Sequence, residues 1–207
     1  KSKTLIDKGW SDDKKYCVTD QDGHKYLLRI SSPDSYNKKK NEFEIVQQLY
    51  SLGIPVSKPI EIGINEEGVY SLQSWIEGTS AEDSISTYSD TEQYVYGLQA
   101  GQYLKQIHSI PCSHQEQTWE ARFNIKIDSK IEKYLNCPLK YDNNKGEILT
   151  TYINSHRYLL KNRPQCFQHG DYHIGNMIID KTNKLNIIDF DRYDFGDPWE
   201  EFNRIVF

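Results

Sequence analysis

The segment from residue 166 to 197 limits most strongly how this chain can fold. It holds six aspartates and two histidines beside two short apolar runs, NMIID and LNIID, which the turn KTNK joins. A core would not select these residues, because burying an unpaired charge is costly. The pattern predicts two short strands in a hairpin. We expect the neighbouring carboxylates to bind a metal ion and a phosphate group.

Composition places the chain among folded globular proteins. It has 207 residues, of which 37% are hydrophobic and 27% charged, enough for a substantial core. No apolar run approaches the roughly 18–20 residues that span a bilayer, and the first ten residues lack a signal-peptide core. We therefore expect a cytoplasmic protein without membrane contact.

Cysteine spacing and net charge exclude two further classes of site. The four cysteines form no CxxC pair, so neither a zinc site nor a disulfide framework is indicated. The net charge of −5 argues against a nucleic-acid partner, which would favour a basic face. Acidic residues concentrate between residues 189 and 201, which suits metal ions or cationic ligands, with a solvated acidic face as the alternative.

The order of predicted elements indicates an α+β fold with two lobes. KKYCVTD and HKYLLRI flank a QDG turn and predict a hairpin, a helix follows over 36–52, and two more strands precede residue 78. Beyond it we predict helices over 89–110, 123–135 and 146–161, the first with a capping box at Ser89 and Glu92. The boundaries are a β-rich N-terminal lobe over 1–78, which ends in a linker over 74–78, and a mainly helical lobe over 79–207. Since the chain starts without Met and stops in what we predict to be an apolar helix, we expect a fragment truncated at its C-terminus.

Three residues carry the functional interpretation. Asp171 and Asn176 lie five positions apart, and Asp189 ends the run LNII thirteen positions later. Phosphoryl transfer needs a carboxylate to orient the attacking hydroxyl, oxygen ligands for Mg²⁺ and cations for the phosphates. Asn176 and Asp189 offer such oxygens, which leaves Asp171 as the base or as the group that orients the hydroxyl. The spacing HxDxxxxN followed by DFx is that of protein-kinase catalytic and metal loops.

The neighbouring histidines admit more than one interpretation. His169 is expected to brace the loop. His173 either steadies the transferring phosphate or shapes the loop. A metal-dependent hydrolase with His169, Asp171 and His173 as ligands is a rival, but it leaves Asn176, Asp189 and the N-terminal lobe unexplained.

The stretches FQHGDYHIGNMIID and LNIIDFDRYDFGDP resemble the aminoglycoside phosphotransferase family, a small-molecule branch of the protein-kinase-like fold. The family also includes kinases of the macrolide, choline and homoserine types. The resemblance covers nearly the whole chain. It implies that Asp171 is the catalytic residue and that Asn176 and Asp189 bind Mg²⁺. GDPWEEF resembles the family's GDPxxD segment, with Glu201 near the position of the usual Asp.

The resemblance also assigns nucleotide-binding residues. Where the family has a strand lysine paired with a helix glutamate, this chain has Arg29, with Lys25 as an alternative cation. Arginine carries a permanent charge and a fork that fits phosphate, but it does not replace lysine atom for atom. The expected partner is Glu42 rather than Glu44.

The linker and the phosphate-covering loop complete these assignments. In LQSWIEG, the C=O of Ser74 and the N–H of Ile76 are expected to bind the purine, while Trp75 packs between the lobes. The phosphate-covering loop has only Gly9 instead of GxGxxG.

These observations predict a Mg²⁺-dependent kinase that transfers the γ-phosphate of ATP or GTP to a small-molecule hydroxyl. The acceptor is expected to be an aminoglycoside-type antibiotic. The alternatives are a choline, homoserine or macrolide type of kinase, and a nucleotide-binding module without activity. Asp191 and Asp194 either attract a cationic acceptor or are turn residues, which we favour.

Overall fold

An antiparallel five-stranded sheet forms the N-terminal part of the computed structural model, which describes residues 2–7, 13–112, 117–139 and 145–203. The strand order is β1-β2-β3-β5-β4. The strands are β1 (Ser2–Ile6), β2 (Lys14–Thr19), β3 (Lys25–Ser31), β4 (Pro59–Asn65) and β5 (Gly68–Ser74). Strands β2 to β5 agree with the predicted hairpins. The first strand was not predicted, and Gly9 lies outside the described residues.

Helix α1 (Tyr36–Ser51) lies between β3 and β4 and packs mainly on β4. The predicted helix is confirmed. Val46 and Leu49 lie on its buried stripe, whereas Leu52 is 52% exposed. Lys39 and Glu42 continue the stripe instead, since residues three and four positions apart share one helix face. Two charged residues are therefore buried under the sheet.

Helices and short strands form the C-terminal part. The helices are α2 (Ala81–Ser84), α3 (Asp90–Ile107), α4 (Trp119–Asn136) and α5 (Lys145–Ser155). The strands are β6 (Gly78–Ser80), β7 (Cys166–Gln168), β8 (Met177–Asp180), β9 (Leu185–Ile187) and β10 (Asp194–Gly196). Strands β6, β8 and β9 form one small sheet, and β7 pairs with β10. The predicted hairpin of β8 and β9 is confirmed, as is the capping box of α3.

Two predicted helices differ in extent, and the predicted final helix lies partly outside the described residues. Helix α4 begins four residues before the predicted start, because Thr118 accepts a hydrogen bond from the N–H of Ala121 and caps it. Helix α5 ends at Ser155, and a 3₁₀ turn covers Arg157–Leu160. The described part of the chain ends in a 3₁₀ turn, Pro198–Asn203, rather than in an apolar helix. Residues 204–207 lie outside the described residues.

A continuous hydrophobic core joins the two parts of the chain. Leu49 and Ile54 from the N-terminal part belong to the same buried cluster as Ile107, Ile179 and Ile187 from the C-terminal part. The N–H of Ile187 also donates to the C=O of Pro55 at 2.8 Å. The two parts thus share one packed interior at the level of β9.

Gly78 allows the connection after β5 to approach this core closely. A Cβ atom at that position would lie 2.2 Å from the C=O oxygen of Ile179. The residues just before it, 75–77, form no regular element and link the two parts. Among the described helices, none is both long and apolar enough to cross a membrane.

Candidate functional site

The loop between β7 and β8 presents the predicted catalytic residues. At its start Gly170 has φ = 81°, and a Cβ there would lie 1.8 Å from the C=O oxygen of Arg192, so only glycine fits. The fully buried carboxylate of Glu201 accepts hydrogen bonds from the N–H groups of His169 (2.8 Å) and Gly170 (2.9 Å). His108 Nε2 lies 3.6 Å from the same carboxylate. Two hydrogen bonds to Glu201 therefore fix the start of the loop.

His169 braces this loop. It is fully buried, its Nε2–H donates to the C=O of Ile188 at 2.9 Å, and its Nδ1 accepts from the N–H of Asp171 at 3.2 Å. Burial lowers the pKa of His169, so the ring is neutral near physiological pH. With both nitrogens engaged, His169 has no lone pair for a metal ion. This geometry opposes the rival hydrolase.

Asp171, His173 and Asn176 converge at the next turn of the loop. The side-chain Nδ2 of Asn176 donates to the C=O of Asp171 at 2.9 Å, which leaves the amide oxygen to face a ligand. His173 Nδ1 accepts from the N–H of Gly175 and caps the 3₁₀ turn. Its Nε2 lies 3.8 Å from Asp171 Oδ2. His173 thus shapes the loop and also faces the Asp171 carboxylate.

Asp189 is held beside this loop in an unfavourable backbone conformation. Its φ of 68° lies in the left-handed region, which costs free energy for residues other than glycine. Ile188, just before it, donates its N–H to the C=O of Asn176 at 3.0 Å. Asp189 Oδ1 is buried and has no hydrogen-bond partner among the described residues. A buried carboxylate oxygen that accepts no hydrogen bond is suited to bind a metal ion.

Arg29 and Glu42 meet as predicted, inside a larger cluster of charges. Arg29 Nη1 lies 3.4 Å from Glu42 Oε1, and Arg29 Nη2 lies 2.7 Å from Asp191 Oδ2 and 3.0 Å from Asp13 Oδ2. The side chains of Arg29 and Glu42 are each 8% exposed. Asp191 follows Asp189 by two residues, so this cluster adjoins the candidate metal site.

Lys39 is a second cation in this cluster, and the sequence interpretation missed it. Its Nζ lies 2.7 Å from Asp13, 3.2 Å from Glu42 and 3.3 Å from Asp191. The signal was present in the spacing, because Lys39 and Glu42 precede Val46 on the buried stripe of α1. Asp13 was also missed. It lies just before β2, and nothing local marks it as buried.

The cluster keeps most of its members ionised. Burial opposes charge on Arg29, but the surrounding carboxylates outweigh it and raise the pKa of Arg29 above its ordinary value. The cations have the converse effect on Asp191, whose pKa they lower against the effect of burial. Glu42 differs, because burial raises its pKa to about 7 despite the adjacent Arg29. Of the three carboxylates, Glu42 is therefore the one with a raised pKa, whereas the pKa values of Asp13 and Asp191 are lowered.

Other predicted cations and acids have different surroundings. Lys25 is exposed and pairs with Glu77 at 2.5 Å, so it takes no part in the cluster. Glu44 is exposed beside Lys40, in agreement with the choice of Glu42. Asp194 pairs with Arg122 at 3.0 Å on the surface.

Asp191 and Asp194 thus both form ion pairs with arginines of the protein itself. Asp191 therefore does more than form a turn, which is the role that the sequence favoured. Arg192, between them, was not singled out from the sequence. Its Nη1 lies 3.5 Å from Asp171 Oδ2, and its side chain is 57% exposed.

The linker residues lie at the end of β5, as predicted. The N–H of Ser74 donates to the C=O of Lys58, and its hydroxyl accepts from the N–H of Lys58. Trp75 donates its N–H to the C=O of Lys25 at 3.2 Å and is partly buried. The N–H of Ile76 has no acceptor among the described residues. Ile76 can therefore donate to a ligand without breaking a protein hydrogen bond.

A comparison with known protein families decides which family the chain belongs to. The phosphotransferase enzyme family matches residues 4–207. The chain belongs to the phosphotransferase enzyme family. Membership confirms the resemblance read from the HGDYHIGN and IDFD segments, and it agrees with the anchored loop and the uncompensated Asp189 oxygen.

Similar proteins of known structure support the same fold. The streptomycin–ATP ternary complex of APH(2″)-IIa has a TM-score of 0.71 and 21% identity, over 99% of this chain and 70% of that one. Aminoglycoside phosphotransferase APH(3″)-Id from Streptomyces rimosus, in complex with ADP and streptomycin, has a TM-score of 0.61 and 17% identity, over 93% and 73% of the two chains. The predicted α+β, protein-kinase-like fold is confirmed.

Among curated proteins, mouse acyl-CoA dehydrogenase family member 11 is 22% identical over 204 residues. The match covers 84% of this chain but 24% of the mouse protein, so this phosphotransferase family member spans about a quarter of that relative's length. The rat protein of the same name matches equally, at 22% identity over 203 residues.

Proposed function

We propose that the chain transfers the γ-phosphate of ATP or GTP to a hydroxyl group of a small molecule. The observation that carries the proposal is the buried Asp189 Oδ1, which has no hydrogen-bond partner among the described residues and lies beside the Asp171–Asn176 loop. Residues 1–78 would act as the nucleotide-binding lobe and residues 79–207 would carry the catalytic and metal loops. Membership of the phosphotransferase enzyme family supports phosphoryl transfer as the reaction.

Asp171 would act as the catalytic residue. Its carboxylate would accept a hydrogen bond from the acceptor hydroxyl and take the proton as the oxygen attacks the γ-phosphorus. The bond between the γ-phosphorus and the β,γ-bridging oxygen breaks, and ADP or GDP leaves. His173 and Arg192, which lie 3.8 and 3.5 Å from Asp171 Oδ2, are positioned to steady the transferring group.

The nucleotide would contact the linker and the buried cations. The N–H of Ile76 and the C=O of Ser74 would bind the purine, and Arg29, held by Glu42, would bind the non-transferred phosphates. Asn176 and Asp189 would hold Mg²⁺, since an amide oxygen and a buried carboxylate oxygen suit this hard cation. Bound Mg²⁺ would offset phosphate charge.

An aminoglycoside-type antibiotic is the acceptor that we propose to test first. Streptomycin is bound in two of the similar structures. If this acceptor is correct, the protein would confer antibiotic resistance. Choline, homoserine and macrolides are the alternative acceptors, and a binding module without activity is the alternative function.

The catalytic assignment is tested by replacing Asp171 with Ala. Turnover of the best acceptor, measured by coupled ADP or GDP release from a panel of hydroxyl compounds, should fall by about 10²- to 10⁴-fold, the usual contribution of a general base. Nucleotide affinity should stay within about threefold of wild type, since Asp171 contacts the acceptor rather than the nucleotide. Asp194→Asn is the matched control, because Asp194 is half-exposed in the same segment and pairs with Arg122.

A thermal-shift titration separates the function classes. Stabilisation by Mg-ATP or Mg-GTP, but not by Zn²⁺, agrees with a kinase, whereas stabilisation by Zn²⁺ alone would favour the hydrolase. Nucleotide binding without turnover of any panel compound would leave the binding module as the better description.

A further inference from the structure

We propose that Lys39, on helix α1, is a second phosphate-binding cation of the nucleotide site, held in the nucleotide-free protein by Asp13, which a phosphate group displaces. This inference rests on the proposed function and adds a residue to it. Lysine at this helix position lies outside the strand-cation assignment, which accounts for Arg29 alone.

Lys39 occupies the same electrostatic environment as Arg29. Its ammonium group contacts three carboxylates that also contact Arg29, namely those of Asp13, Glu42 and Asp191. The Lys39 side chain is 10% exposed, close to the 8% of Arg29. Two cations thus share one buried set of acids, at distances of 2.7 to 3.4 Å. An anionic oxygen in the position of Asp13 Oδ2 would contact both Arg29 and Lys39.

The cluster adjoins the candidate metal site. Asp191 contacts both cations and is two residues from Asp189. Asp189 is also close enough to Arg29 to raise its pKa. A triphosphate coordinated through Mg²⁺ at Asp189 would therefore bring its non-transferred oxygens towards the two cations.

Asp13 is the carboxylate best placed to exchange. Its Oδ2 lies 2.7 Å from Lys39 Nζ and 3.0 Å from Arg29 Nη2, so a single anionic oxygen bridges both cations. A phosphate oxygen between two cationic donors makes the same charge-assisted contacts. Glu42 is fixed three residues from Lys39 on one helix, and Asp191 is fixed beside Asp189. Asp13 comes from outside both elements, just before β2.

The test compares two substitutions with opposite expected signs. The ligands are the nucleoside triphosphate that the wild type binds more tightly, ATP or GTP with Mg²⁺, and the matching nucleoside. In the full chain, Lys39→Met should weaken triphosphate binding at least about tenfold, the size of one charge-assisted hydrogen bond. Asp13→Asn should strengthen it by about threefold or more, because the competing anion is gone. Nucleoside affinity should change less than about twofold in both variants.

The opposite expected changes in triphosphate affinity distinguish phosphate binding by Lys39 from a purely structural role. Lys39 and Asp13 form an ion pair, so a purely structural role predicts that both substitutions weaken the binding of triphosphate and nucleoside together. That result, or unchanged triphosphate affinity in Lys39→Met, would overturn the inference. Lys40→Met and Asp34→Asn are charge-matched controls on exposed positions and should bind as wild type does.

Lys39→Arg guards against a folding defect in Lys39→Met, because it keeps the positive charge. It should retain triphosphate affinity within about threefold, and a loss as large as that expected for Lys39→Met would count against the charge-based role. If the wild type binds neither ATP nor GTP, the proposed function fails and this inference fails with it. If the wild type binds and the variants behave otherwise than expected, only the inference fails.

Discussion

Glu201 shows how one buried side chain sets the geometry of the whole catalytic loop. Its two carboxylate oxygens separately accept the N–H groups of His169 and Gly170, just before Asp171. The sequence placed Glu201 near a family Asp, and the structure adds the reason for an acid. Two adjacent N–H groups donate to this buried side chain and need two acceptors.

Replacing Glu201 with Ala should therefore destabilise the protein. One buried and one partly buried N–H group would lose their acceptors, and the free energy of unfolding should fall by about 2–4 kcal/mol. Glu201→Gln keeps one acceptor oxygen and should lose about half as much. Urea unfolding, followed by the fluorescence of the four tryptophans, measures both changes.

Glu44→Ala is the matched control for this prediction. Glu44 is 58% exposed and pairs only loosely with the exposed Lys40, at 3.8 Å, so its removal should cost less than about 1 kcal/mol. Equal losses at Glu44 and Glu201 would show that the loop does not depend on the buried carboxylate.

At the scale of single elements, the hairpin of β8 and β9 depends on Asp180. Its Oδ1 accepts from the N–H groups of Thr182 and Lys184 and from the Thr182 hydroxyl, and its Oδ2 accepts from Asn186. Burial opposes the charge, but these hydrogen bonds lower the pKa of Asp180 to about 2. The ionised form therefore stabilises the turn that precedes Asp189.

Asp180→Ala should lower the free energy of unfolding by about 1–2 kcal/mol near neutral pH. The folded-state pKa lies below the ordinary value of 3.8, so this stabilisation is complete above about pH 4 and is lost as the pH falls through about 2. Urea unfolding at several pH values measures this: the difference in free energy of unfolding between wild type and Asp180→Ala should be constant above about pH 4 and should become smaller below it. A difference that stays constant down to about pH 2 would contradict the assignment. The exposed Asp34→Ala should have nearly the same free energy of unfolding as wild type at any pH.

A helix or strand could be predicted from the sequence where its own residues determine its structure. Strands β2 to β5 and β8 to β9 alternate or carry apolar runs with polar turns, and α3 has its own capping box, so local patterns were sufficient. Strands β6, β7 and β10 have three residues each and exist through pairing with distant partners. Such pairs leave no periodic signal.

The site residues also divide into those that local sequence could predict and those that depend on the fold. Asp171, Asn176 and Asp189 lie within one segment of fixed spacing and could be named from the sequence. The Arg29–Glu42 contact followed from the family resemblance, and the structure bears out their proximity. Asp13 and Lys39 required the fold, because a buried ion pair is defined by partners 26 positions apart.

At the scale of the whole molecule, the charge cluster links the N-terminal sheet to the catalytic segment. Arg29 lies on β3 and Asp191 lies 162 positions later, yet their side chains are 2.7 Å apart and mostly buried. A buried ion pair is not always a net gain in stability, but removal of one partner leaves an uncompensated charge. The cluster should therefore couple the two parts of the protein energetically.

A double-mutant cycle on Arg29 and Asp191 measures that coupling. Arg29→Met leaves three buried carboxylates with only Lys39 and should lower the free energy of unfolding by about 3–5 kcal/mol. Adding Asp191→Asn removes one of those carboxylates, so the double variant should be more stable than the sum of the single changes predicts, by about 1–3 kcal/mol. Because the cluster is buried, the coupling should change little between low salt and about 1 M NaCl, whereas any contribution of the exposed Lys40–Glu44 pair should be screened. Additive losses within about 0.5 kcal/mol, or a coupling that salt abolishes, would mean that this charge cluster does not couple the two parts of the protein.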